Sequence, residues 1–100
     1  MAALTDCPGL SHPLHPIAGF EQLTVSDSVK TLTVPKDAAV AIINVRDNDI
    51  YTRDDGTDVT TTVGTHHKAD TEFAVCGSAM NRLTLIRDTG DAEVNISYYG

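Results

Sequence analysis

Residues 92–99, AEVNISYY, alternate strictly, with Val94, Ile96 and Tyr98 on one parity and Glu93, Asn95, Ser97 and Tyr99 on the other. Successive side chains of a strand point to opposite faces, so this octet buries one face and wets the other only as a β-strand. The rest of the chain points the same way. Valine occurs nine times, isoleucine six and threonine thirteen times, all residues whose branched Cβ fits a pleated surface better than a helix. Eleven of the fourteen acidic residues are aspartate, the acid that favours turns.

Punctuation of the apolar runs places the remaining strands. Leu23 and Val25 share a parity before a Ser26-Asp27-Ser28 turn, and residues 29–34 form a further short strand ending at Pro35. Residues 38–45, AAVAIINV, are apolar at both parities, which predicts a central core strand covered on both faces. Asp47-Asn48-Asp49 then turns the chain, so residues 41–46 are expected to pair with 50–53 across a short loop. At Asp54-Asp55-Gly56 a second turn follows, with Gly56 able to take positive φ without steric cost. Residues 59–63 read as a weak edge strand or a loop. Residues 71–75 make another strand broken by Gly77, and residues 82–87 place Leu83 and Leu85 on one face. Asp88-Thr89-Gly90-Asp91 reads as a hairpin connection into the last strand. The expectation is all-β: an antiparallel β-sandwich or flattened barrel of six to eight short strands over residues 21–100.

Residues 1–20 differ in kind. They hold three of the four prolines, Pro8, Pro13 and Pro16, and spaced apolar residues Leu4, Leu10, Leu14, Ile17 and Phe20, with Asp6 as their sole charged side chain. Proline removes backbone donors and favours extended conformations, so this segment predicts an arm. A segment meant only for solvation would carry more charge, so the five apolar residues are candidates for docking on another subunit.

Composition excludes several partners. Fourteen acidic residues against seven scattered basic ones argue against a phosphate-binding surface, and direct contact with nucleic acid is not expected. No apolar run approaches the ~20 residues of a membrane helix. The first sixteen residues lack the basic and apolar regions of a secretory signal, which predicts assembly in the cytoplasm. Cys7 and Cys76 match neither a disulfide framework nor a zinc pattern, and both are expected as reduced thiols.

Candidate chemistry is sparse. His66 and His67 with Asp70 come nearest to a metal cluster, but adjacent residues of a strand point to opposite faces and so do not reach one ion. The pairs Asp47/Asp49 and Asp54/Asp55/Asp58 offer oxygens to a hard cation, yet turn geometry explains them and EF-hand order is absent. His12 and His15 lie in the arm as surface or interface groups. Cys76 has no motif linking it to a histidine, and Gly77 and Gly90 lack the following helix of a phosphate loop. No catalytic residue, metal or cofactor is therefore expected. Arg53 beside the Asp54-Asp55-Gly56 turn is expected to pair with an acidic neighbour or cross an interface.

In order and spacing, Val34-Pro35, the run Ile50-Tyr51-Thr52-Arg53-Asp54-Asp55-Gly56 and the closing Val94-Asn95-Ile96-Ser97-Tyr98-Tyr99 resemble the small all-β structural proteins of tailed-bacteriophage virions. One departure is Val59-Thr60, where that pattern often places proline before threonine. The resemblance implies a non-enzymatic component, specifically a capsid decoration or cement protein on the outer head surface. Its implied partners are the major capsid protein and further copies of itself. Leu4, Leu10, Leu14, Ile17 and Phe20 are the candidate subunit contacts, with Arg53 a further one. Competing readings are a tail, collar or head-to-tail component and, from another class, a carbohydrate- or receptor-binding sandwich. Five aromatic residues, none of them tryptophan, supply little for a sugar-stacking platform.

Overall fold

Alternating burial organises the chain into eight strands and one helical turn in a computed structural model that describes residues 14–100. The strands are β1 (Glu21–Val25), β2 (Lys30–Thr31), β3 (Val40–Arg46), β4 (Ile50–Arg53), β5 (Thr65–His67), β6 (Glu72–Cys76), β7 (Thr84–Arg87) and β8 (Ala92–Tyr99). The short helix α1 (Ala79–Arg82) follows β6. Two four-stranded antiparallel sheets result, ordered β1-β8-β3-β6 and β2-β7-β4-β5. This is the expected sandwich.

Between the sheets lies one core. β3 contributes Ala41, Ile43 and Val45, β8 contributes Ala92, Val94, Ile96 and Tyr98, and the opposite sheet contributes Ile50 and Leu85. The predicted inward parity of β8 is the observed one. On its outer face polar partners meet across the ladder: Gln22 donates to Asn95 at 3.1 Å and Thr24 to Glu93 at 2.7 Å. β3 is an inner strand, but its outward Ile42 and Asn44 are only half-buried, so one face is covered and not both.

The expected pairing of residues 41–46 with 50–53 does not occur. β3 pairs with β6 and β8, whereas β4 pairs with β5 and β7 in the other sheet. Asp47, at φ 75°, swings the chain across the sandwich instead of folding it back. Residues 88–91 likewise carry the chain from one sheet to the other, so they are a crossing and not a hairpin. Alternation specifies which face is buried; it leaves the choice of partner strand open, and two opposed sheets satisfy the same parity. The two crossings are tied together, the Asn48 side-chain amide donating to the Asp91 carbonyl at 2.9 Å.

Residues 59–63 form a loop, yet Val59 is fully buried and anchored. Its N–H donates to the Thr84 hydroxyl at 3.1 Å, and that hydroxyl lies 3.1 Å from the Thr57 carbonyl and 3.3 Å from that of Arg53. A buried threonine thus ties the backbone of Arg53, Thr57 and Val59 together at one hydroxyl. Gly64 closes the loop where a Cβ would stand 2.5 Å from Val59 Cγ2 and 3.0 Å from the Thr52 carbonyl, a space that no larger residue fits without displacement.

Candidate functional site

Three surface features carry the polar and interfacial groups singled out in the sequence. The first is the root of the arm. His15 and Gly100 exchange backbone hydrogen bonds at 3.1 and 3.0 Å, and the Ile17 N–H donates to the Tyr98 carbonyl at 3.0 Å. Pro16 bridges Tyr99, so this segment runs along the end of β8, on the edge that β1 occupies further along. Ile17 packs on the core and Leu14 is half-buried, whereas Phe20 is 63 % exposed. Leu4 and Leu10 lie outside the described residues. Just beyond Phe20, Glu21 accepts the Tyr98 hydroxyl at 2.7 Å, and burial, reinforced by that carboxylate, raises the phenol's pKa.

A second feature is an open groove of about 580 Å³ along the edge where β5 and β6 face each other across the sandwich. His67 spans it, its ring stacked on Phe73 of the opposite sheet with centroids 3.7 Å apart and planes 15° from parallel. Burial lowers the pKa of His67, with His66 adding to the effect, so the ring is held neutral and shares a 2.8 Å hydrogen bond with the buried Thr52 hydroxyl. Arg53 and Asp54 also line the groove. Arg53 makes two parallel bonds to Asp55, at 2.8 and 2.9 Å, and this fork holds the Asp55 carboxyl below its ordinary range. Asp55 also accepts the Thr57 N–H, and Gly56 sits at φ 86°, so the turn is built as its composition predicts. The acidic neighbour expected for Arg53 is two residues away, in the turn that follows β4.

Cys76, also lining the groove, is disulfide-bonded, which corrects the expectation of a reduced thiol there. A single bridge leaves no repeating spacing to read, which is why the cysteine pattern did not reveal it. The chain's other cysteine, Cys7, lies outside the described residues.

A third feature gathers Asp49, His66 and Asp88, whose potential ligand atoms all lie within 4.8 Å of one another. Asp49 immediately precedes β4, His66 is in β5 and Asp88 immediately follows β7, three neighbouring strands of one sheet. His66 Nε2 is 2.9 Å from Asp49 Oδ2, while Asp49 Oδ1 accepts the Ala69 N–H at 2.8 Å. The Ala69 amide first, and then His66, hold the Asp49 carboxyl below its ordinary range. His66 and His67 do face opposite ways, one stacking on Tyr51 and the other on Phe73. Asp70 instead pairs loosely with Arg46. The grouping of His66 with Asp49 and Asp88 joins residues far apart in sequence and is visible only once β4, β5 and β7 are in register.

Comparison with protein-family models, with curated proteins and with solved structures finds no match to this chain. The class that the fold defines is therefore an antiparallel β-sandwich of two four-stranded sheets.

Proposed function

We propose that this chain is a non-catalytic structural component of a tailed-phage virion, a decoration or cement protein that binds the outer capsid surface and links neighbouring major capsid subunits. The observation that carries this reading is the arm's root: backbone bonds fix it to the end of β8, and Phe20 beside it stands 63 % exposed. An arm anchored at its base transmits load into the sandwich, and an exposed aromatic at that base is the kind of side chain that interfaces use as an anchor. Copies repeated on a symmetric shell add weak contacts into a strong clamp. A net charge of −7 suits a body that faces solvent and does not adhere to nucleic acid. The disulfide at Cys76 suits a particle surface that leaves the reducing cell.

Co-sedimentation with undecorated, expanded capsids of the encoding phage tests the proposal. The full chain pellets with the shells, and Phe20→Ala, a surface change that leaves the fold intact, lowers occupancy at limiting protein by about tenfold, the scale of one interfacial aromatic. Absence of the wild-type chain from the pellet at every concentration removes the proposal.

A further inference from the structure

We propose that Asp49, His66 and Asp88 form a binding site for a divalent transition ion of the zinc type. This inference does not depend on the virion reading. It rests on the kind and placement of the three donors: the imidazole nitrogen of His66 in β5 and two carboxylates flanking β4 and β7 converge at one edge of three hydrogen-bonded strands, every pair within 4.8 Å. Bonds of about 2.0–2.2 Å from zinc to histidine nitrogen and carboxylate oxygen put adjacent ligands of a tetrahedral site roughly 3.4 Å apart. The 2.9 Å between His66 Nε2 and Asp49 Oδ2 lies about half an ångström inside that spacing, so an ion that replaces the proton the two atoms now share needs only a small parting of the pair.

The donors are also held in place. Tyr51↔His66 and Ile50↔Arg87 are ladder partners, which fixes the relative height of the three chain segments. The His66 ring rests on Tyr51 with centroids 5.0 Å apart. The second oxygen of Asp49 is occupied by the Ala69 N–H, and its carbonyl accepts the Asp88 N–H at 3.0 Å. Such outer hydrogen bonds orient ligands and lower the cost of assembling them around an ion. His66 is exposed and the two aspartates are half-buried, so solvent has access to the donors and water can complete the coordination. The imidazole decides the class of ion: nitrogen with carboxylate oxygen suits zinc and its neighbours, whereas calcium and magnesium prefer oxygen throughout.

Zinc titration of the intact, oxidised chain, followed by calorimetry and by the histidine ring signals in NMR, tests the site. One ion is expected to bind with the His66 resonances moving in step. His66→Gln and Asp88→Asn are expected to weaken binding by about tenfold or more, His15→Gln to leave it unchanged, and excess calcium not to compete. In the unmutated chain, broadening by nickel should centre on residues 49, 66 and 88, a reading that no folding defect of a variant can imitate. Zinc affinity equal in wild type, His66→Gln and Asp88→Asn, or broadening centred on His15, would overturn the proposal.

Discussion

At the scale of single residues, the buried polar side-chain atoms of the described residues are spoken for. Thr84 serves the loop that enters the sandwich at Val59, Thr52 serves His67, and Tyr98 reaches Glu21. Among the described residues no buried side-chain nitrogen or oxygen lacks a partner. Tyr98→Phe keeps the buried ring and removes only the bond to Glu21, so the expected loss is about 1 kcal/mol near neutral pH. The raised pKa of this phenol gives the sign of a further effect. Below pH 10.0, its ordinary value, folded and unfolded chains both keep the proton; above it the unfolded chain releases it first, and stability falls. Urea midpoints of wild type and Tyr98→Phe should therefore converge as pH is raised above about 10. A constant gap between them would show that Tyr98 does not titrate as its surroundings require.

Parity was legible at the level of elements, and pairing was not. The inward set Val94, Ile96 and Tyr98 can be read directly from residues 92–99, as can the turn at Asp54-Asp55-Gly56. Hydrophobic alternation says nothing about which strand lies alongside, so the crossings at residues 47–49 and 88–91 looked like hairpins. Residues 59–63 stayed open between edge strand and loop for a related reason: their threonines suit a strand, while the buried Thr84 hydroxyl, distant in sequence, holds the segment as a loop. The Asp49, His66 and Asp88 group was invisible for the same cause, since it exists only through the β5-β4-β7 order. The stack of His67 on Phe73 joins the two sheets at their β5/β6 edge and predicts acid sensitivity. Because burial depresses the His67 pKa, the unfolded chain takes up this proton first as pH falls below the ordinary 6.5, and the ring's contribution to stability is lost there. His67→Phe retains a ring for the stack and cannot titrate, so its unfolding midpoint should change less than that of wild type between about pH 7.5 and 5.5. Equal slopes would remove His67 from the account. Asp49 acts in the same direction at lower pH, losing its contribution as pH falls through the carboxylate range.

For the whole molecule, the two sheets form one body, and residues 15–17 are fixed to the end of β8. In sheet order, β8 and β3 are the inner strands, so residues 15–17 are held beside an inner strand of the first sheet. Residues 14–17 share backbone bonds with the last residues of the chain, and the apolar spacing Leu14, Ile17, Phe20 divides accordingly into half-buried Leu14, core-packed Ile17 and exposed Phe20. Their apolar character in a segment of little charge marked all three as docking candidates without distinguishing an internal anchor from an outward one. The proposal that the outward one meets a capsid is most directly tested by cryo-imaging mature particles of the encoding phage with and without this protein. The account predicts difference density distributed over the head, repeating with the lattice of coat subunits, with the arm's root turned towards the seams between them. Density confined to one vertex or to the tail, or particles identical in the two preparations, would contradict it.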